Sequence, residues 1–127
     1  MIINFIALIV PCIFSEMIRM TDRNFNQIVN MPGATLVKFY TNECSHCKEL
    51  RQPYAALAQS YDHIPGLRFA ECNLEDAPIV QDQLGIEFVP EVMWFTPLNN
   101  RPIQFEGEKN FGTLVGFLNY CARQLPF

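Results

Sequence analysis

The composition of this 127-residue chain indicates one folded domain and excludes several classes of protein. Hydrophobic residues make up 50% of the chain and aromatic residues 13%, which is enough for a packed core and too much for a disordered chain. The net charge of −4 and the lack of a cluster of Lys and Arg argue against a nucleic-acid partner.

The first residues differ in character from the rest of the chain. Residues 1–14 carry no charged side chain and are mostly Ile, Leu, Val and Phe. This stretch is shorter than the roughly 20 apolar residues of a membrane-spanning helix. We interpret residues 1–15 as a signal peptide cleaved after Ser15, which leaves residues 16–127 as a domain without a membrane span. An uncleaved anchor and a buried strand remain as alternatives, because no Lys or Arg precedes the apolar run.

The spacing of apolar residues in the rest of the chain predicts alternating helices and strands. Pro53 falls inside the second helix, where the loss of one backbone hydrogen bond should produce a kink. The first predicted helix is capped by Thr21, runs through Asn30 and turns Phe25, Ile28 and Val29 inward. A strand over 35–40, a helix to Tyr61, a strand over 67–72 and a helix over 77–84 follow in chain order. The chain then forms two strands over 92–95 and 102–105, joined by a turn at 97–100, and a final helix with apolar positions from Phe111 to Cys121. This order argues for an α/β fold with a sheet covered on both faces.

The motif Cys44-Ser45-His46-Cys47 falls where the first predicted strand gives way to the second helix. Cys44 lies at the N-terminus of that helix, where unpaired N–H groups and the helix dipole favour an anion such as a thiolate. Cys47 is one helical turn further on, close enough to close a small disulfide ring. The pair therefore suits reversible thiol–disulfide exchange, in which one thiol attacks and the second resolves the mixed disulfide.

A zinc site is the alternative for two cysteines at this spacing. A closed zinc site needs four ligands, and the chain has no second Cys-x-x-Cys or Cys-x-x-His motif. The other Cys and His residues of the domain, His46, His63, Cys72 and Cys121, are scattered singly. The sequence therefore favours redox chemistry, with no metal and no other cofactor.

Four stretches, by their order and spacing, resemble the thioredoxin superfamily and, within it, the domains of protein disulfide isomerases. Together they cover nearly all of residues 17–125, and they are Leu36-Val37-Lys38-Phe39-Tyr40, the run from Cys44 to Leu50, the run from Leu84 to Pro90, and Phe105-Glu106-Gly107 with the helix from Phe111 to Leu118. The resemblance implies a thioredoxin fold, in which a central mixed β-sheet carries helices on both faces.

The resemblance also implies roles for individual residues. Cys44 would attack and Cys47 would resolve, while His46, which matches the His of the isomerase-type CGHC motif, would stabilise the thiolate. Pro90 is implied to be a cis-proline packed beside the cysteines, and the backbone of Val89 to pair with extended substrate peptides. The alternatives are an exposed helix residue for His46 and an ordinary strand-entry proline for Pro90.

Five positions around the cysteines depart from the family pattern. Glu43 replaces a Trp, Ser45 a Gly, and Glu91 the common Thr. Lys38 replaces the buried acid that helps proton transfer at the second cysteine, and Glu87 replaces the isomerase Arg that tunes that cysteine. Glu43 would oppose a thiolate and a cationic Lys38 would favour one. We therefore predict electrostatic tuning by Glu43, Lys38 and Glu87, with its net sign left open; the alternative for Lys38 is that it reaches solvent.

The two other cysteines of the predicted domain, Cys72 and Cys121, lie far apart in the sequence. We expect both to be buried and to act as small hydrophobic side chains. A bridge between them is the alternative, and it requires a suitable separation of their Cα atoms.

Two functions of different classes are compatible with these residues. The first is a thiol–disulfide oxidoreductase that acts on unfolded or partly folded secretory proteins, in the endoplasmic reticulum lumen or outside the cell, with a thiol oxidase or glutathione as redox partner. The second is a redox-weak peptide-binding module or chaperone, which the five substitutions favour. We prefer the first because both cysteines are present; a subunit held by a mixed disulfide is a weaker third interpretation.

Overall fold

The structure is a computed structural model, and it describes residues 17–124. The predicted signal peptide, residues 1–15, lies outside the described residues. The elements are β1 (Ile18–Met20), α1 (Phe25–Val29), β2 (Ala34–Tyr40), α2 (Ser45–Tyr61), β3 (Leu67–Asn73), a 3₁₀ turn (Leu74–Asp76), α3 (Pro78–Leu84), β4 (Glu91–Thr96), β5 (Asn99–Gln104) and α4 (Phe111–Gln124). None of the helices within residues 17–124 has the length and apolar composition needed to cross a membrane.

The strands form one mixed sheet in the order β1-β3-β2-β4-β5. β3 runs parallel to both β1 and β2, whereas β4 is antiparallel to β2 and to β5. β2 therefore lies in the middle of the sheet, and its C-terminal end carries the chain into the cysteine motif. The predicted thioredoxin fold, with a mixed sheet and helices, is confirmed.

The two faces of the sheet support two separate cores, because side chains alternate between faces along each strand. One core contains α1 and α3, and the other contains α2 and α4. In β2, Val37 and Phe39 face the first core, whereas Ala34 and Leu36 face the second. Lys38 therefore shares the α2 face of the sheet, which is the face that carries Cys47.

Helix α2 presents three buried side chains to the sheet at helical spacing, Leu50, Tyr54 and Leu57. The hydroxyl oxygen of Tyr54 lies 2.9 Å from the carbonyl oxygens of both Leu36 and Ala70, so its single proton is shared between them and ties the helix to β2 and β3. This anchoring fixes the N-terminal turn of α2, where the cysteines lie, relative to the end of β2. The helix runs through Pro53 without ending there.

The structure differs from the sequence prediction at three places, which are a strand, a helix start and a turn. β1 is missed, since three residues are too few to show a period. Thr21 does not cap α1, because its Oγ1 accepts from the N–H of Arg23 within a turn and α1 begins at Phe25. The predicted turn at 97–100 is too long, because Thr96 pairs with Asn99 and only Pro97 and Leu98 connect the strands.

Helix α3 is held by a side chain from a distant part of the chain. The carboxylate of Asp22 accepts from the N–H groups of Ile79 and Val80 at 3.1 and 2.9 Å. At the other end Gly85 takes a left-handed conformation, with φ of 66°, and its N–H reaches the carbonyl of Asp82. Both ends of α3 are thus fixed, and they position the segment that leads to Pro90.

Candidate redox site

The cysteine motif forms the N-terminus of α2. Cys44 is the N-cap residue in an extended conformation, and its Sγ accepts from the N–H of Cys47 at 3.1 Å. A capping sulfur in this place interacts with the positive end of the helix dipole, which stabilises a thiolate. The sequence prediction that Cys44 lies at the helix N-terminus is confirmed.

The two cysteines are joined by a disulfide, and their Cα atoms are 5.2 Å apart. They differ in exposure, since Cys44 is half-buried and Cys47 is only 4% exposed. An incoming thiolate therefore reaches Cys44 before Cys47. This asymmetry agrees with the roles of attacking and resolving thiol, which stay predictions for these residues.

The Val89–Pro90 peptide bond is cis, as the resemblance implies. The carbonyl oxygen of Val89 lies 3.9 Å from Cys44 Sγ, so this segment sits directly beside the accessible cysteine. A groove of about 360 Å³ runs along it, and its walls include Pro90, His46, Leu50 and Gly107. The structure thus brings Cys44, His46, Val89 and Pro90 together at one surface.

His46 is almost fully exposed on the first turn of α2. Its side chain is 80% exposed, and its Nδ1 lies 3.5 Å from Oε1 of Glu49. The imidazole borders the groove along Pro90 rather than the protein interior. The alternative interpretation of His46 as an exposed helix residue is compatible with this position as well.

Lys38 is buried, and the interpretation in which it reaches solvent is wrong. Its side chain is 6% exposed, and its Nζ lies 3.5 Å from Oε1 of Glu71. Burial lowers the pKa of the Lys38 ammonium, while the charge of Glu71 opposes that shift. Lys38 Nζ also lies 5.3 Å from the centre of the Tyr54 ring, a cation–π distance.

Glu71 is the functional candidate that the sequence interpretation missed. It is the register partner of Lys38 on β3, and both residues line a cavity of about 460 Å³ whose wall also contains Cys47. A charged pair therefore lines the same cavity as the buried cysteine, with the cation on β2 and the carboxylate on β3. The signal in the sequence was a single acidic residue within the apolar run of β3.

Glu43 and Glu87 lie outside the cavity that Lys38, Glu71 and Cys47 line. Both side chains are exposed, and Glu43 directly precedes Cys44. Glu87 does not line the cavity of Cys47 but borders a different one, together with Gly85 and Ile86. Arg51 and Lys48 of α2 line the Cys47 cavity instead.

Cys72 and Cys121 are buried free thiols, as expected. They belong to the two different cores, on opposite faces of the sheet, so a bridge between them does not form in this fold. Burial raises the pKa of each thiol to about 12. No three His, Cys, Asp or Glu side chains within residues 17–124 are grouped so that they could hold a metal ion.

Comparison with protein-family models matches residues 16–120 to the thioredoxin family. The chain belongs to the thioredoxin family.

Several relatives carry disulfide-isomerase names. A probable protein disulfide-isomerase A6 of Medicago sativa is 28% identical over 115 residues, which cover 91% of this chain and 32% of that protein. Protein disulfide-isomerase A4 of Homo sapiens is 32% identical over 81% of this chain and 16% of its own length. The J-Trx1 fragment of ERdj5 has a similar structure, with a TM-score of 0.76 and 25% identity over 84% of this chain and 52% of that fragment. The chain thus spans about a third or less of the curated relatives named here.

Proposed function

We propose that this domain is a thiol–disulfide oxidoreductase of the disulfide-isomerase type. One observation carries the proposal: a Cys44–Cys47 disulfide at a helix N-terminus, with the accessible sulfur beside the carbonyl of Val89. The names of the relatives agree with this chemistry.

In the proposed reaction a substrate thiolate attacks Cys44 Sγ in line with the disulfide. A bond forms between the substrate sulfur and Cys44, the Cys44–Cys47 bond breaks, and its electron pair goes to Cys47. Cys47 then takes up a proton, and attack by a second substrate thiolate on the mixed disulfide releases an oxidised substrate and reduced Cys44. Reduction follows the reverse course: Cys44 attacks a substrate disulfide and releases one substrate thiol, and Cys47 then attacks the mixed disulfide, which releases the second substrate thiol and forms the Cys44–Cys47 disulfide. In isomerisation a thiol of the same substrate, instead of Cys47, attacks the mixed disulfide, so the substrate disulfide forms in a new pairing and Cys44 returns to the thiol.

The charged pair in the Cys47 cavity acts on the leaving sulfur. The ammonium of Lys38 stabilises the negative charge that develops on Cys47, whereas the carboxylate of Glu71 opposes it and offers a proton acceptor. Because Lys38 is the more deeply buried of the two, we infer that its charge dominates and favours the Cys47 thiolate.

We propose the segment at Val89 and Pro90 as the binding site for an extended peptide. Its support is the groove of about 360 Å³ along Pro90 and the nearness of Val89 to Cys44. Backbone pairing at Val89 recognises any sequence, which suits unfolded or partly folded secretory proteins as substrates. A thiol oxidase or glutathione would reset the redox state.

The proposed location is the secretory pathway, in the endoplasmic reticulum lumen or outside the cell. The apolar stretch at residues 1–14 and the disulfide-isomerase relatives support this location. Disulfides persist in that compartment, so a disulfide-exchange domain has substrates there.

A redox-weak peptide-binding module is the second candidate. The observation that favours it is Phe88, a large apolar side chain that is 79% exposed just before Val89. Such a module would keep the groove and bind unfolded chains without turnover.

Reduction of insulin and reactivation of scrambled ribonuclease by the full chain distinguish the two candidates. We expect both activities, and we expect Cys44→Ser to abolish them while leaving the fold intact by circular dichroism. Activity no higher than that of Cys44→Ser, together with retained binding of an unfolded peptide, would contradict the oxidoreductase and support the binding module.

A further inference from the structure

Several carboxylates follow or precede the site residues in the sequence or line the groove beside them. Glu43 directly precedes Cys44, and Glu91 directly follows Pro90, so their Cα atoms lie about 3.8 Å from those of the two site residues. Glu87 precedes Val89 by two residues and is exposed. Glu49 and Glu108 line the groove along Pro90, and Glu43, Glu87 and Glu91 lie within two residues of Cys44, Val89 or Pro90 in the sequence. Of these, Glu87 borders a neighbouring cavity and Glu91 accepts from Nε2 of Gln104 at 2.7 Å.

Cations on this side are few and already engaged. Lys109 lines the groove, but its Nζ donates to the carbonyl of Gly107 at 3.3 Å and lies 5.2 Å from the centre of the Phe105 ring. His46 lies 3.5 Å from the carboxylate of Glu49, which offsets its charge when it is protonated.

The cations of α2 line the opposite side of the motif. Lys48 and Arg51 border the Cys47 cavity, together with Arg19 and Lys38, and not the groove along Pro90. Acidic and basic side chains are therefore distributed unevenly around the disulfide. Carboxylates predominate on the side of Cys44 and the groove along Pro90, and cations predominate in the cavity lined by Cys47.

Phe88 adds an aromatic surface to the acidic side. Its side chain is 79% exposed next to Val89, whose carbonyl lies 3.9 Å from Cys44 Sγ. An exposed ring beside carboxylates binds the stem and the charged head of Lys or Arg, through apolar contact and a cation–π interaction. The carboxylates and the exposed ring of Phe88 therefore both favour a partner that carries Lys or Arg.

We propose that the site selects cysteines that lie within cationic, extended segments of the substrate, with Lys or Arg near the reacting cysteine. The inference rests on the proposed oxidoreductase function and names its substrate class. The carboxylates attract the segment and raise its local concentration at Cys44, and Phe88 contacts a basic side chain next to the reacting cysteine.

The test uses three peptides of equal length with one central cysteine, flanked by Lys, by Ser or by Glu. Each reduced peptide is mixed with the oxidised full chain; the peptide thiolate attacks Cys44, and the Cys47 thiol is released. Acid-quenched samples analysed by mass give the rate of mixed-disulfide formation. Hydroxyethyl disulfide, which is uncharged, serves as the reference for the intrinsic reactivity of each peptide thiol.

We expect the Lys peptide to react about tenfold faster than the Glu peptide at low ionic strength, after division by the reference rates. The ratio should fall towards unity in high salt, because exposed charges are screened. It should also fall in the double variant Glu43→Gln, Glu87→Gln, and in Phe88→Ser. Any change in the intrinsic reactivity of Cys44 cancels in the ratio.

Asp62→Asn is the matched control. It removes one carboxylate at the C-terminal end of α2, a 17-residue helix, and therefore about 25 Å from Cys44. The Lys-to-Glu ratio should not change in this variant. Equal corrected rates for the Lys and Glu peptides would overturn the inference while leaving the oxidoreductase function in place. No mixed disulfide with any peptide would contradict the function itself, and the inference with it.

Discussion

At the scale of single residues, the most unusual feature is the ion pair between the buried Lys38 and Glu71, whose side chain is 24% exposed. Removing a charge such as that of Lys38 from water costs several kcal/mol, and the attraction of its partner returns only part of that cost. A site that keeps such a pair in the wall of a cavity next to a buried cysteine is a candidate for electrostatic control of that cysteine. The sign of the control depends on which charge dominates at Cys47.

We predict that Lys38→Met raises the apparent pKa of the Cys47 thiol by about one unit, because it removes the cation that stabilises the thiolate. The measurement is the rate of iodoacetamide alkylation of Cys47 against pH in a Cys44→Ala background. Glu71→Gln is the matched variant and should shift the same pKa downwards. An unchanged alkylation profile in both variants would show that the pair is only structural.

Glu43 is the charge nearest in sequence to the attacking thiol. We predict that Glu43→Gln lowers the apparent pKa of Cys44, because two like charges a few ångströms apart disfavour each other's ionised forms. The shift should stay below about one unit, since the exposed carboxylate is screened by water. Alkylation of Cys44 in a Cys47→Ala background measures it, and an equal or higher pKa in Glu43→Gln would contradict the prediction.

At the scale of elements, two loops meet at the site. The turn from β2 into α2 carries the cysteines, and the segment between α3 and β4 carries Val89 and Pro90. Asp22 and Gly85 fix the two ends of α3, so the second loop is held in place from outside the site.

We expect Pro90→Ala to reduce peptide capture more than it reduces stability. Proline fixes φ and has no N–H, so alanine loosens the shape of the segment beside Cys44. A Cys47→Ala trap should accumulate mixed disulfides through Cys44, and the added Pro90→Ala change should lower their yield several-fold. Equal trap yields with and without Pro90, from chains with equal melting temperatures, would show that this segment does not hold the substrate.

Much of this arrangement could be predicted from the sequence, because its signals are local. The apolar runs identified most strands and helices, and the Cys-x-x-Cys spacing at a strand–helix junction identified the disulfide pair. The pairing of Lys38 with Glu71 depends on the register of two strands 33 residues apart. The capping of α3 by Asp22 spans 57 residues. Neither contact leaves a local pattern, so both required the structure.

At the scale of the whole molecule, the sheet separates the two buried free thiols from each other. Cys72 lies in the core on the face of α1 and α3, and Cys121, a residue of α4, lies in the core on the face of α2. Both are fully buried and have no disulfide partner within residues 17–124. Each thiol must therefore become exposed before it can exchange with the Cys44–Cys47 pair.

The buried thiols predict a loss of stability at alkaline pH. Their pKa is about 12 in the folded state against 9.0 for a free thiol, so above pH 9 the unfolded chain loses protons that the folded chain keeps. The free energy of unfolding should fall by about 1.4 kcal/mol per pH unit for each thiol between these values. Lys38 acts in the opposite direction, since its pKa is lowered by burial.

The comparison of the chain with Cys121→Ala isolates this effect from that of Lys38. Urea unfolding of both proteins at pH 8 and pH 10.5 should show a smaller loss of stability in Cys121→Ala, although that variant is less stable at either pH. An identical pH dependence in the two proteins would mean that Cys121 ionises alike in the folded and unfolded states.

The central claim is that Cys44 and Cys47 form a reversible redox disulfide in the folded chain. Equilibration of the purified full chain across a glutathione series, followed by acid quench, alkylation and mass mapping of thiols, tests this claim most directly. Among the four cysteines of residues 16–127, we predict one two-electron transition confined to Cys44 and Cys47, with Cys72 and Cys121 reduced throughout, and the same transition in Cys72→Ala. Absence of the Cys44–Cys47 link under every oxidising condition, or a stoichiometric metal bound to the two thiols, would contradict the claim.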